Sequence, residues 1–339
     1  MNAALRAPGI SGLAKAAAGM APGRRIPAFA RPTFRAWWRE RARSGERNPD
    51  GPRVVLWADT FTNYLQPAAA QAAVEVLEAA GKRVVVPARP LCCGRPLYDY
   101  GMLRLARRQL RRVIGALRQE IRGGTPLVAL EPSCLAVFRD ELLQQLPHDE
   151  DARRLASQSW ALGEYLERHA PGWRPPRLAG PRGQPLKALV QPHCHARATA
   201  AMDGERAGGA GAAGGAEDLL DGLGLDARVL DAGCCGMAGA FGFERGERHE
   251  VSVRCAERAL LPAVRAAAAD TLIVADGFSC REQIAQGAGR RALHLAQVLQ
   301  LALRQGPGTG ACEAPAGGGP NGPSGPSGPG GPSGPGGPG

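Results

Sequence analysis

The chain has 339 residues, nine cysteines, 47 glycines, 29 prolines and a net charge of +11. That length allows two domains with sizeable cores, and no stretch reaches the roughly 18 uninterrupted apolar residues of a membrane-spanning helix. The positive charge is concentrated at the start, where the first fifty residues carry ten Lys or Arg against three acidic residues; without interleaved aromatics or a reading motif, this argues against nucleic acid as a partner.

In chain order, residues 1–52 read as a flexible basic linker. Arg53-Val54-Val55-Leu56-Trp57-Ala58 is a short β-branched run bounded by Gly-Pro and Asp59, the pattern of a buried strand. Residues 67–80 carry Ala70, Val74, Leu77 and Ala80 at helical spacing, from Pro67 to the stop at Gly81. Arg83 to Val86 is a second strand, followed by Cys92-Cys93-Gly94. Asp99 to Arg122 reads as one long helix, with Arg104, Arg107, Arg108, Arg111, Arg112 and Arg118 on a solvated face. Pro126 to Leu130 is a third strand, Cys134 begins the next helix, and Arg153 to His169 reads as a helix bridging two halves.

The second half repeats the scheme. Leu186 to Val190 is a strand leading to His193-Cys194-His195, and the Gly/Ala-rich stretch from Met202 to Ala216 reads as a mobile loop. Ala227 to Leu230 leads to Cys234-Cys235-Gly236, His249 to Ala268 is a helix, Thr271 to Ala275 leads to Cys280, and Ala292 to Arg304 closes the fold as a helix. From Gly306 onward, Gly, Pro and Ser leave nothing to bury, so a disordered tail is expected. Alternating strands and helices imply an α/β class: two tandem, similar repeats with parallel sheets, at 53–150 and 186–305, joined by 151–185 and followed by the tail 306–339.

The cysteine groups follow predicted strands, so the strand C-termini should bring them to one edge in each repeat. Clustered thiols in an odd total do not form a secreted disulfide framework; they point to metal or redox chemistry in a reducing compartment. With no signal-peptide core either, a cytoplasmic protein is expected. In the second repeat Cys194, Cys234, Cys235 and Cys280 supply four thiolates, enough for an iron–sulfur cluster of 4Fe-4S type or a tetrahedral zinc, and Gly236 lets backbone amides approach the sulfurs. Adjacent cysteines favour the larger cluster. In the first repeat only Cys92, Cys93 and Cys134 remain. They can hold a metal such as zinc with Asp59 or water completing the shell, or be a degenerate copy kept for its fold. His193 and His195 are candidate ligands or donors to ligands, or simply turn residues. Cys255 reads as a small buried hydrophobe, and Cys312 lies in the tail.

These groups resemble the cysteine-rich CCG domain that occurs in tandem in one of the subunits of heterodisulfide reductase, in the iron–sulfur component of glycolate oxidase and in lactate-utilisation proteins. Its pattern is a cysteine, then Cys-Cys-Gly, then a cysteine ending a Cys-x-x-Cys. The second repeat matches at Cys194, Cys234, Cys235, Gly236 and Cys280, with Gly277 at the first Cys-x-x-Cys position. The first matches at Cys92, Cys93, Gly94 and Cys134, with Glu131 at that position and Asp59-Thr60 in place of the leading cysteine. Asp59-Thr60-Phe61-Thr62-Asn63-Tyr64, Glu131-Pro132-Ser133-Cys134 and residues 276–283 are similar to the C-terminal third of FAD-linked oxidases acting on D-2-hydroxy acids, over roughly residues 20–304. The resemblance implies an iron–sulfur electron-transfer module of such an oxidoreductase, unable to oxidise substrate alone. Its implied partners are a flavin-containing and ferredoxin-like domain or subunit, where FAD resides, and a quinone or other acceptor, in the cytoplasm or peripherally at the inner face of the membrane. The alternatives are a heterodisulfide-reductase-like thiol/disulfide enzyme and a zinc-stabilised scaffold.

Overall fold

Two four-stranded parallel sheets with identical strand order organise the chain. The computed structural model describes residues 8–180, 183–202 and 216–305. The predicted loop from Met202 to Ala216 falls almost wholly outside these residues, and the predicted tail with Cys312 lies entirely outside them.

The first sheet holds β1 (Arg53–Trp57), β2 (Arg83–Val85), β3 (Leu127–Ala129) and β4 (Ser159–Trp160), in the order β2-β1-β3-β4. The second holds β5 (Lys187–Val190), β6 (Asp226–Val229), β7 (Leu272–Val274) and β8 (Ala292–Leu293), in the order β6-β5-β7-β8. In both, the chain leaves the central strand in one direction and returns on its other side. The crevice beyond the strand C-termini at that reversal is where such sheets build sites.

Side-chain alternation sends the two faces of each sheet into different cores. On β1, Val54 and Leu56 enter a core shared by both repeats, whereas Val55 and Trp57 enter one belonging to the first repeat. On β5 and β7, Ala188, Val190 and Val274 enter the shared core, and Leu189 and Ile273 enter that of the second repeat. This is why the strands read as continuous apolar runs.

The helices that position the site are α1 (Phe34–Arg43), α2 (Thr60–Tyr64), α3 (Pro67–Ala79), α4 (Leu103–Ala116), α5 (Pro132–Ala136), α6 (Cys194–Met202), α7 (Glu247–Glu257), α8 (Phe278–Gly287) and α9 (Leu295–Gln305). The shared core is built largely by α3 against α9. On α3 the small residues Ala69, Ala70, Ala72 and Ala73 are all buried, so the helix can approach its neighbours closely and lock one repeat to the other.

Several predicted elements are divided. The helix expected over 99–122 is three: Arg95–Asp99 ends at Gly101 with φ 71°, α4 follows, and Arg118–Arg122 is separate. The bridging helix expected over 153–169 is interrupted by β4, which pairs with β3. The extended backbone there is held by the Arg139 guanidinium, which donates to the Ser159 carbonyl at 2.9 and 3.0 Å and also pairs with Glu164. The helix expected over 249–268 breaks before Leu260, because the ring of Pro262 cannot share a helix with the carbonyl of residue 258. Ala292 and Leu293, expected in the closing helix, form β8 instead.

The N-terminal segment departs most from a flexible linker. The Ala21 amide donates to the Phe243 carbonyl at 2.7 Å, and the Arg245 amide to the Gly19 carbonyl at 2.9 Å. Further on, α1 is capped by Thr33 and buries Phe34, with Trp37 and Trp38 packed on the shared core. The segment is bound through backbone pairing to the second repeat and through aromatic burial to the shared core, neither of which composition reveals.

Candidate functional site

In the first repeat, the residues after β1, β2 and β3 converge. Asp59 caps α2: one carboxylate oxygen accepts from the amides of Phe61 at 2.7 Å and Thr62 at 3.0 Å, the other from the Thr62 hydroxyl at 2.6 Å. Both oxygens are therefore committed to the fold, so Asp59 is not a free fourth ligand. The Cys93 and Cys134 sulfurs lie 3.1 Å apart and both are buried. The Cys92 side chain lies against that of Cys93, and its sulfur accepts from the Gly94 amide at 3.4 Å. The Cys92 thiol is pushed up by its bond to Cys93 and by burial, and Cys93 is pushed up by its bond to Cys134 and by burial.

Burial also acts on the capping carboxylate. The Asp59 carboxyl is raised from 3.8 to about 6, first by desolvation and then by the neighbouring Glu131 charge, against the hydrogen bonds from Thr62 and Phe61. Between these values the folded chain holds a proton that the unfolded chain has released, so stability falls as pH rises through the window, by about 3 kcal/mol in all. Asp59→Asn keeps an N-cap acceptor and removes the charge. The variant is expected to lose this slope between pH 4 and 6 and to be more stable at pH 7, as read by urea denaturation; parallel pH profiles for the two proteins would disprove it.

In the second repeat, the four predicted thiols come together. Their side chains interact in sequence, Cys194 with Cys234, Cys234 with Cys235, and Cys235 with Cys280. Cys235 and Cys280 are 4% and 2% exposed, while Cys194 and Cys234 are exposed, so the row opens to solvent at one end only. Cys280 sits in the first turn of α8 and Cys194 opens α6. The Cys234 sulfur accepts from the Gly236 amide at 3.3 Å. The thiols of Cys194 and Cys235, with that amide, hold Cys234 far below the usual thiol range. Cys194 and Cys235 are pushed up by their contacts with Cys234, and Cys235 also by its contact with Cys280 and by burial.

Glycine is required at 236. Its φ is 85°, and a Cβ there would collide with the Ser252 carbonyl and meet the Cys255 Cβ at 3.1 Å. Cys255, expected as a buried hydrophobe, is only half-buried on α7 and helps wall the Cys234-Cys235-Gly236 turn.

His193 is buried, accepts from the His195 amide through Nδ1 at 3.1 Å, and brings Nε2 to 4.0 Å from Glu131. Its ring occupies the space a side chain at Gly277 would need. Both His193 and His195 are depressed to about 4, chiefly by burial, and so are neutral imidazoles at neutral pH. Donor atoms of His193, Cys194 and His195 lie within 4.8 Å of one another.

Some roles at the site are not legible in the sequence. Glu131 reaches across the repeats to accept from the Phe278 amide at 2.9 Å, capping the helix that bears Cys280, and Phe278 stacks on Phe61 at 4.4 Å. Buried Arg281 binds Gln66 at 2.6 Å and the carbonyls of Ala275 and Asp276 at 2.8 and 2.5 Å. Arg24, from the supposed linker, lies buried behind the thiols.

Comparison with known proteins fits this geometry. Residues 59–139 match the cysteine-rich domain model CCG. The chain is 28% identical over 286 residues to one of the subunits of anaerobic glycerol-3-phosphate dehydrogenase from Escherichia coli, covering 83% of this chain and 66% of that protein. It is 29% identical to D-2-hydroxyglutarate dehydrogenase of Pseudomonas putida, covering 74% of this chain and 22% of that protein. It is 26% identical to lactate utilization protein A of an Exiguobacterium strain, covering 75% of this chain and 99% of that protein. The chain thus spans just under two thirds of the E. coli protein. Residues 59–139 belong to the cysteine-rich CCG domain family, in a chain similar along most of its length to a dehydrogenase subunit and a lactate utilization protein.

Proposed function

We propose that this chain is an iron–sulfur electron-relay module of a flavin-dependent oxidoreductase acting on a 2-hydroxy acid or a similar hydroxylated substrate. The observation that carries the reading is the row of four thiols at one sheet edge, ending in a buried pair and touched by a backbone amide. These residues suit a multi-iron cluster, of 4Fe-4S type, held by Cys194, Cys234, Cys235 and Cys280. Bound there, such a cluster supplies reversible one-electron chemistry. The chain's own residues do the rest: Gly236 supplies an amide that spreads sulfur charge, Cys235 and Cys280 close the apolar side, and Cys194 and Cys234 face the solvent where a partner docks.

Electrons enter from a partner subunit or domain carrying FAD and a ferredoxin-like module and leave to a quinone or other acceptor, with the chain peripheral at the inner face of the membrane. Among the described residues no helix is long and apolar enough to cross a membrane. The first repeat, with three crowded thiols and a committed Asp59, serves as a structural copy. Phe61 and Phe278 stack at the junction between the repeats.

Anaerobic purification with iron, acid-labile sulfide and zinc analysis tests the reading. The expected result is a brown protein with matched iron and sulfide. A colourless protein with stoichiometric zinc and no sulfide would overturn it.

A further inference from the structure

Arg24 lies at the end of the N-terminal segment that pairs with residues 243–245, and it is 4% exposed. Its Nε donates to the Gly242 carbonyl at 2.8 Å, Nη1 to Gln283 Oε1 at 2.6 Å and Nη2 to Ser252 Oγ at 3.0 Å. Gln283 in turn donates to the Ser252 carbonyl at 3.2 Å. That carbonyl is the one against which Gly236 packs, and Gln283 is one helical turn beyond Cys280 on α8. One guanidinium therefore bolts the helix bearing Cys280 to the helix that backs the Cys234-Cys235-Gly236 turn.

The molecule contains its own comparison. In the first repeat, Gly94 faces the Ala106 carbonyl and Gln109 on α4, as Gly236 faces Ser252 and Cys255 on α7. Ala106 is thus the counterpart of Ser252. Val137, three residues after Cys134, is the counterpart of Gln283. Both are buried apolar residues with nothing for a guanidinium to bind. Among the described residues, this arginine and its polar seat lie under the repeat that has four thiols and have no counterpart at Ala106 and Val137.

We propose that Arg24 is a positioning residue for those thiols and that its buried charge raises the reduction potential of the cluster they hold, an inference that rests on the relay reading above. Reduction adds one electron and makes the cluster one unit more negative. A cation buried close by stabilises that form more than the oxidised one, because little water screens the interaction. The N-terminal segment is thereby part of the redox centre, although none of its residues is a ligand.

The test is a reductive titration of the anaerobically prepared full chain with dithionite and mediators, followed by visible absorbance and EPR, beside iron analysis. Arg24→Gln removes the charge and keeps hydrogen-bonding capacity. Gln283→Glu places a carboxylate against Arg24 and cancels the charge without removing it, which covers the case in which Arg24→Gln fails to fold. Both are expected to shift the midpoint potential to more negative values, while Ser252→Ala, which leaves the charge in place, keeps the wild-type potential. Full iron with unchanged potentials in the charge variants would overturn the role of Arg24 and leave the relay reading intact. Wild-type protein without iron would overturn the relay reading itself.

Discussion

Cys235→Ser is expected to lose most of the iron and sulfide of the anaerobic protein, whereas Cys134→Ser retains them. Cys235 sits in the middle of the thiol row, between Cys234 on one side and Cys280 on the other, and is nearly fully buried. A hydroxyl there is a poor ligand for iron, and its removal from the set leaves Cys280 separated from the other two. Cys134 occupies the position matching Cys280 but has only Cys93 and Cys92 for company, with Asp59 engaged in capping. Its replacement should cost stability, through a hydroxyl buried in the core of the first repeat, rather than metal. Iron and sulfide analysis of the two variants, prepared in parallel, reads the difference. Equal loss from both would place a cluster in each repeat; loss from neither would mean that the thiols bind none.

Gly236→Ala is the second variant with a large expected effect, and Gly233→Ala is its control. Both glycines have positive φ, 85° and 64°, so each substitution carries the left-handed penalty of about 1–2 kcal/mol. At Gly233 nothing lies within 4 Å of the added Cβ, and the cost stops there. At Gly236 the methyl collides with the Ser252 backbone carbonyl, which is held by Gln283 and cannot retreat cheaply. Either the turn bearing Cys234 and Cys235 or helix α7 must shift. An additional loss of about 1–3 kcal/mol is expected from overpacking, together with reduced iron occupancy. Thermal melts and iron analysis check this; similar melting for the two variants would show that the close approach is not enforced in solution.

The site was legible in the sequence to the extent that its chemistry is local. Each cysteine group follows a short β-branched run, and parallel strands deliver such positions to one edge whatever the intervening chain does. The pairing of Cys92-Cys93-Gly94 with Cys234-Cys235-Gly236, and of Cys134 with Cys280, could be read from spacing for that reason. Element boundaries were less legible. The helix expected over 153–169 offers Leu155, Trp160, Leu162, Tyr165 and Leu166 for packing, yet Arg139, some twenty residues earlier, holds Ser159 in an extended strand. Local pattern cannot register a hydrogen bond made by another element.

The roles of residues acting on the thiols from a distance could not be read from the sequence. Arg24 sits in a stretch whose composition suggests a solvated linker, and its partner Gln283 is 259 residues away. Glu131 reads as a lost ligand; only the approach of the two repeats reveals it as the cap of the helix bearing Cys280.

By itself the sequence determined the α/β class, the doubling of the unit and which sulfurs share an edge, because strand periodicity and the geometry of parallel crossovers act over a few tens of residues. Tertiary structure alone decided that Asp59 is spent on a helix cap, that the repeats close on each other through stacked rings, and that a cation stands behind the four-thiol row. Those outcomes depend on burial, which sets the strength of a charge or hydrogen bond, and burial is settled only when the whole chain has packed.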